Sequence, residues 1–463
     1  MTSSTGNNDR PVSDLTRTVR ETIEKNDIET VIVGGSDING VFRGKRISAH
    51  QFHADPSAPV LFADYLLIMD LHQDVVPPPP EFEGWWPTWE GGFGDIDAIP
   101  DLASFRLAGW LDRTGVVLCD YQRRDGSPVI YSARQVLRRV VRAAEKLGYS
   151  IKIGPELEFY LFQGTTSIQS TREIKNIASD PSAYSILRGV LDQDFLLPLC
   201  RNLERSGIPV ERFNPEGGIG QYEINLAYSD PLEAADRAFL FKEAVRVSAM
   251  QDGKIATFMA KPIAQGFGSS FHVHQSLWSE TRENMFDDAT SAGLSQWARS
   301  YIGGTLETLE DFTCLFAPTV NSYKRLVPYS AAGTSATWGR ENRTAGIRVI
   351  TGRKGGTRIE LRTAGADANP YLVIAAAISG GLHGVTEKID PPIETIGDAY
   401  QQASTNIPKS LELATERLST SQVAAKYLGE DFVRYFAQTR RWEAQKYQAA
   451  VTDWEISRYF NPT

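Results

Sequence analysis

The sequence predicts an α+β protein in two parts, a small N-terminal domain over residues 14–125 and a larger domain over 126–463. Three observations lead there. The first part holds short strand-like runs punctuated by Gly, Pro and Asp. The second part holds strands whose ionisable side chains recur at every second residue, separated by long stretches with apolar residues at helical spacing. One large domain with a small appendage fits the 463-residue length equally well.

In chain order, Met1 to Arg10 is polar and unlike a signal peptide, and is expected to be a disordered tail. Glu29 to Val33 and Gly115 to Tyr121 read as strands. Gly40-Val-Phe-Arg-Gly44-Lys45-Arg46 superficially resembles a phosphate-binding loop. It has three residues between its glycines where that loop has four, and no Ser or Thr follows the lysine, so it reads as a turn. Val75 to Asp97 carries Pro77 to Pro80, then Trp85, Trp86 and Trp89, and leaves through Gly91-Gly92-Phe93-Gly94. Such a run excludes a regular helix or a central strand. It is either a packed surface loop or subunit contact, or an aromatic wall beside a substrate entrance.

Ser132 to Gly148 has apolar residues at helical spacing between a serine cap and a glycine stop. Lys152 to Phe162 reads as a buried strand. Asp230-Pro-Leu-Glu233 combines an acidic cap, a proline in the first turn and a glutamate three residues on, starting a helix toward Met250. Asn369 to Val385 and Phe432 to Phe460 are the remaining strong helix patterns.

Composition narrows the function. A net charge of −9, with acids and bases interspersed, excludes the basic stripe of a nucleic-acid binder. Cys119, Cys200 and Cys314 form no CxxC pair, so neither a disulfide framework nor a structural zinc site is indicated, and a reducing cytoplasm fits. No apolar stretch is long enough to span a bilayer, so no membrane partner is expected.

The chemistry lies on the strands. Glu156 and Glu158 are two residues apart and share one strand face, where two like charges repel unless a cation sits between them. A divalent metal and a solvated edge with one salt bridge both answer that need. His272-Val-His274 and Arg358-Ile-Glu360-Leu-Arg362 repeat the alternation, and Glu211, Glu216 and Glu223 flank a glycine-rich loop. Carboxylates, imidazole and arginines on rigid strands suit divalent cations and a polyphosphate. The rival is a zinc hydrolase built on His-x-His, which needs further histidines. Only His383 follows, inside an apolar helix pattern, so it reads as structural.

Taken together, Gly154-Pro-Glu-Leu-Glu-Phe, Gly220-Gln-Tyr-Glu, Ala256-Thr-Phe-Met-Ala-Lys-Pro262, His272-Val-His-Gln-Ser-Leu277, Asn321-Ser-Tyr-Lys-Arg-Leu-Val-Pro328, Asn342-Arg-Thr-Ala-Gly-Ile-Arg348 and Arg358-Ile-Glu-Leu-Arg362, followed by Ala368-Asn-Pro-Tyr371, resemble the successive signatures of the glutamine synthetases, type I-like. The match is strong from Ser127 onward and vague before it. The resemblance implies an N-terminal β-grasp domain and a catalytic domain with a curved antiparallel sheet and surrounding helices, the site lying in a funnel-shaped barrel.

By motif position, the resemblance implies that Glu158, Glu216 and Glu223 hold a Mg²⁺ or Mn²⁺ near the glutamate substrate. Glu156, His272 and Glu360 would hold another that bridges ATP phosphates. Arg325 and Arg362 would clamp the glutamate carboxylates, with the Gly268 backbone at the amino group. Arg343, Arg348 and Arg358 would meet the phosphates, Arg343 with a catalytic part, while Glu211, His274 and Ser276 line the nucleotide. ATP would phosphorylate the γ-carboxylate, a poor electrophile, and an amine would then displace phosphate. A homo-oligomeric double ring, a dodecamer, is implied as well, with the small domain of one subunit completing the site of the next.

Two departures bear on the acceptor. The family's ammonia-using members carry a glutamate six residues after the arginine matched by Arg325, where this chain has Ala331. Their Asp-Gly-Ser-Ser signature is missing, and the comparable region reads Phe62-Ala-Asp-Tyr-Leu-Leu-Ile-Met-Asp70, leaving Asp64 or Asp70 as substitutes. Phe267 and Ser270 also depart from the usual asparagine and glycine. Loss of the carboxylate favours a bulkier acceptor: an arylamine such as aniline, already neutral at pH 7, or an alkylamine, ethanolamine or polyamine. Trp85, Trp86, Trp89 and Phe93 suit an aromatic or cationic guest, and Asp74, Glu81, Glu83 and Glu90 suit polyamines. The expectation is an ATP-dependent ligase forming a γ-glutamyl amide. An ammonia-using glutamine synthetase and a catalytically inactive structural relative are the alternatives.

Overall fold

Two β-sheets divide the chain, and each owes its place to the residues between them. The computed structural model describes residues 11–164, 173–281, 283–287, 294–351, 355–402 and 407–460; the expected disordered tail, 1–10, lies outside the described residues. The first sheet is built from β1 (Thr30–Ser36), β2 (Phe42–Ser48), β3 (Val60–Ala63), β4 (Asp95–Pro100), β5 (Arg106–Leu107) and β6 (Thr114–Arg123). Their order is β2-β1-β6-β4-β3, with β5 alongside β6. Only β1 and β6 run parallel. The helix Val12–Lys25 buries Val19 and Ile23.

The turn between β1 and β2 is shorter than the glycine spacing suggested. Asp37 Oδ1 accepts from the Asn39 and Val41 amides at 2.9 Å each, and Gly40 takes φ +80°, so the chain is extended again by Phe42. Residues 76–94 form turns and irregular backbone, as four successive prolines require.

The second sheet comprises β7 (Ser150–Gln163), β8 (Val210–Pro215), β9 (Gln221–Leu226), β10 (Lys254–Thr257), β11 (Phe271–Trp278), β12 (Trp338–Arg340), β13 (Ile347–Ile350) and β14 (Arg358–Leu361). Its order is β12-β13-β14-β11-β7-β9-β8, with β10 on β7. It curls into a half-barrel surrounded by helices. All pairs are antiparallel except β12 with β13.

The helix Pro370–Glu387 is apolar all round and buried along nearly its whole length, which is what a helix enclosed on all sides requires. It meets the helix Gln296–Glu307 backbone to backbone: a Cβ on Gly304 would lie 2.2 Å from the Gly384 nitrogen. The helix Pro231–Gln251 begins at Pro231 as expected, but neither acidic residue caps it. Asp230 pairs with Lys152 at 2.7 Å, and Glu233 pairs with Arg106 and Arg237 at 3.0 and 2.7 Å.

The helix Ala133–Lys146 fastens the two sheets. Its apolar stripe, Val136, Leu137, Val140 and Ala144, is buried. From the same helix Arg134, 3% exposed, reaches Asp236 at 2.8 Å, Asp101 at 2.7 Å and Asp120 at 3.0 Å. A buried guanidinium with three carboxylates is well compensated, and loss of Arg134 would leave the equally buried Asp236 without its ion pair. One apolar core runs from Val19 to Ala444.

Candidate active site

Strand register decides which side chains meet. On β7, Glu156 lies opposite His272 of β11 and Asn225 of β9, and Glu158 lies opposite Glu223. Glu360 of β14 lies opposite His274 on one side and Arg348 of β13 on the other. Alternation then turns all these side chains to one face of the curl. The apolar partners Leu157, Phe159 and Val273 point the other way into the core, each fully buried.

Glu156 is the hub. Its Oε1 lies 2.7 Å from His272 Nδ1, while its Oε2 lies 3.3 Å from His274 Nε2 and accepts from Asn225 Nδ2 at 2.5 Å. Burial raises its pKa, but the two imidazoles overcome that and hold it well below the usual carboxylate range. Glu158 has no such help: burial, then Glu216, pushes it up to about 7. Its Oε2 accepts from Gln221 Nε2 at 3.0 Å and the Ser270 amide at 2.8 Å. Glu223 is driven up strongly by burial and by Glu156, Glu158 and Glu216. Burial also raises Glu216, which accepts from Asn214 Nδ2 at 2.9 Å. Glu360, 1% exposed, is held down against burial by Arg362, which bonds its Oε1, and lies 3.1 Å from Arg348 Nη1.

This is a pocket with more carboxylate than protein cation. Donor atoms of Glu156, Glu223 and His272 all lie within 4.8 Å of one another, and Glu156, His274 and Glu360 make a second such set. His272 Nε2 is buried without a hydrogen-bond partner among the described residues. An orphaned imidazole nitrogen among crowded carboxylates fits hard divalent cations. Glu156 belongs to both sets.

The arginines fall into two groups. Arg325, 1% exposed, donates to the carbonyls of Thr363 and Arg362 and to Ser270 Oγ at 2.8–3.0 Å. Its stem lies on Gly268, where a Cβ would come within 2.5 Å of Arg325 Cγ. Arg362 donates from Nη2 to the Ala331 carbonyl at 3.0 Å, and its Nε is buried without a partner. Arg348 is held between Glu341 at 2.5 Å and Glu360. Arg343 stands exposed on the turn between β12 and β13.

Beside the carboxylates opens a cavity of ≈ 230 Å³ lined by Glu211, His274, Ser276 and Arg358, so four of the residues expected at the nucleotide share one space. Trp278 Nε1 donates to Ser276 Oγ at 2.8 Å.

The residues expected at the amine divide. Ala331 is at the site: exposed, at φ +60°, its carbonyl tied to Arg362. Among the described residues Asp64, Trp85 and Trp86 share no bond with the carboxylate centre of their own chain. Trp85 stacks on Tyr131, whose hydroxyl donates to the Trp85 carbonyl at 2.8 Å, and Trp86 donates to the Val76 carbonyl while packing on Tyr435. Asp64 is 6% exposed and accepts from the Gly94 amide at 3.1 Å. Trp89, 74% exposed, packs only its edge on Phe93.

Sequence reasoning missed Asn225 and Gln221, although both lie two residues from Glu223 and the same alternation would have placed them. It also missed Glu341 and Asn214, whose bonds to Arg348 and Glu216 come from loop and sheet-edge positions.

Comparison with known proteins agrees with this geometry. The model of the glutamine synthetase catalytic domain matches residues 131–459. A glutamate–isopropylamine ligase of a Pseudomonas species is 36% identical over 451 residues, covering 96% of this chain and 97% of that one. The gamma-glutamylethanolamide synthetase GlnA4 of Streptomyces coelicolor is 33% identical over 94% of this chain and 93% of its own. The solved structure of GmaS without ligand superposes with a TM-score of 0.82 at 29% identity, covering 96% and 99% of the two chains.

Proposed function

For a chain that belongs to the glutamine synthetase family and acts as an ATP-dependent glutamate ligase, we propose an acceptor amine bulkier than ammonia, joined to the γ-carboxylate as a γ-glutamyl amide. The observation that carries this reading is Ala331. A methyl group stands where the ammonia-using pattern has a carboxylate, and its backbone is fixed by the Arg362 bond, so the acceptor side has volume and no counter-charge. Relatives named for isopropylamine and ethanolamide chemistry support it.

Glu156, Glu158, Glu216, Glu223, His272 and Glu360 would hold Mg²⁺ or Mn²⁺. When bound, the cations offset the charge that builds up as the phosphoryl group moves. The chain's own residues do the rest. Arg362 and Arg325 orient the glutamate carboxylates, Arg325 largely by fixing the Arg362 carbonyl and Ser270. Arg343, Arg348 and Arg358 face the phosphates, with Glu211, His274 and Ser276 at the nucleotide. The γ-carboxylate oxygen attacks the terminal phosphorus, the bond to ADP breaks, and the amine nitrogen then attacks the acyl carbon, expelling phosphate and losing a proton. An arylamine or other neutral nucleophile needs no carboxylate for that first attack.

The proposal includes the assembly. Residues 14–125 of one subunit complete the site formed by 126–463 of its neighbour within a double ring, a dodecamer, which would bring Asp64 and the outward Trp89 to an acceptor site that they do not reach in their own chain. A cytoplasmic location belongs to the same reading; among the described residues no helix is long and apolar enough to cross a membrane.

The test is phosphate release from ATP and glutamate with ammonia, ethanolamine, putrescine, isopropylamine and aniline offered in turn. A bulky amine with the highest kcat/KM supports the proposal. Ammonia as best acceptor returns the chain to the ammonia-using reading, and silence with every amine favours the inactive relative.

A further inference from the structure

A second cavity, of ≈ 490 Å³, opens away from the carboxylate centre between the turn Ile38–Val41, the helix Pro231–Gln251, the segment Leu315–Lys324 and the helix Glu430–Ala449. Four cations line it: Lys242, Arg246, Lys324 and Arg440. In a chain of net charge −9, none of the four forms an ion pair among the described residues.

Their existing partners are neutral. Lys242, 3% exposed, donates to the carbonyls of Ala366 and Ala368 at 2.7 and 3.2 Å. Burial, then repulsion by Arg246, pushes its pKa down to about 7. Arg440 donates to the Pro318 carbonyl at 2.8 Å and Asn39 Oδ1 at 2.6 Å. Lys324 lies over Tyr447 and Arg246 over Phe258, at 5.9 and 5.2 Å from the ring centres. Among the described residues Arg246 makes no hydrogen bond, and its carboxylate neighbour is Glu243 on its own helix. Two carboxylates also line the cavity: Asp367, which accepts on Oδ2 from Ser322 and Thr319 at 2.6 and 2.9 Å and offsets part of the charge of Lys242, and Glu443. Phe258, Leu315 and Phe436 lie buried behind the charges, and the exposed apolar lining is Leu71 and Met259.

We propose that this cavity is a second ligand site, for a small organic anion whose carboxylate or phosphate group is gripped by Arg246 and Lys324 while its apolar body lies on the exposed lining residues Leu71 and Met259. An open guanidinium offers the planar fork that such groups match, and Arg246 and Lys324, both exposed, hold no ion pair among the described residues for an anion to displace. The chain that lines the cavity leads directly to the catalytic face. Asn321 is bonded to the Lys261 backbone at 2.8 and 3.1 Å, and Lys324 is followed by Arg325, so occupancy bears on the arginine assigned above to glutamate.

Calorimetric titration of the full chain, without ATP or glutamate, tests this separately from the ligase reading. The probes are benzoate, succinate, phenyl phosphate and inorganic phosphate, against wild type, Arg246→Ala and Lys324→Ala. The expected result is saturable binding of an aromatic or organic anion, one per chain, weakened about tenfold or more by each substitution, with inorganic phosphate weaker because it lacks the apolar body. Benzoate against phenyl phosphate decides the head group. No binding up to about 10 mM, corresponding to less than about 3 kcal/mol of affinity, overturns the proposal. Binding that both substitutions leave unchanged also overturns it, by placing the anion in the catalytic cavity. So does a change of sedimenting mass in Arg246→Ala, which would make the cavity a subunit contact.

Discussion

The carboxylate centre and the tryptophan loop are built on opposite principles. At the centre, Glu156, Glu158, Glu223, His272 and Glu360 come from four adjacent strands, and ladder pairing fixes their spacing. Around Trp85 and Trp86 no ladder exists, and packing on Tyr131 and Tyr435 holds the chain. Rigid strands hold the repelling carboxylates of the first region in place, so Glu158 and Glu223 are kept at a cost to stability. The second contributes apolar burial. Function without stability and stability without direct catalysis should therefore separate in experiment.

The largest loss of activity is expected from Glu156→Gln. It removes the hub of both donor sets, so phosphate release should fall at least ~10³-fold. Glu156 is itself held low by two imidazoles, so the stability test falls on Glu223→Gln: activity should drop while the melting temperature holds or rises, since burial and three neighbouring carboxylates drive that group up. A melting temperature that fell with activity would erase the contrast. Chelation sharpens the same point: EDTA should abolish turnover and Mg²⁺ or Mn²⁺ restore it. Added metal at about 100 times its Kd should stabilise the fold by about 2.7 kcal/mol, read by denaturant titration.

The tryptophan loop should show the reverse. Trp85→Ala removes the ring stacked on Tyr131 and beneath Arg123, and should cost about 2–3 kcal/mol in equilibrium unfolding. The smallest effect belongs to Trp89→Ala. At 74% exposure it should change stability by no more than about 0.5 kcal/mol. If the neighbouring subunit's site receives it, the amine KM should still move while the glutamate KM does not.

The same contrast explains what could be read from the sequence. Glu156, His272 and Glu360 were legible because a strand's period of two is rigid: one alternating motif predicts a shared face, and three motifs predict a site. Asn225 and Gln221 follow the same rule. The helix at Pro231 was legible from its proline, but Glu233 goes to Arg106, 127 residues distant in sequence, which no local cap pattern shows. The proline run excluded regular structure without telling where Trp85 would pack, because Tyr131 and Tyr435 are distant in sequence and side-chain packing carries no period. The crossing of Gly304 and Gly384, the four-cation cavity and the hold of Arg362 on Ala331 likewise arise only from tertiary contacts.

Ala331, on which the proposed acceptor choice rests, is tied to the rigid centre by the Arg362 bond while its chain neighbours are loop residues. The most direct measurement is the ratio of kcat/KM for isopropylamine to that for ammonia, in the wild type and in Ala331→Glu. The account predicts a wild-type ratio above one, and a fall of about tenfold or more in the variant as a carboxylate fills the volume and attracts ammonium. A ratio below one in the wild type, or one that Ala331→Glu leaves unchanged, would contradict it.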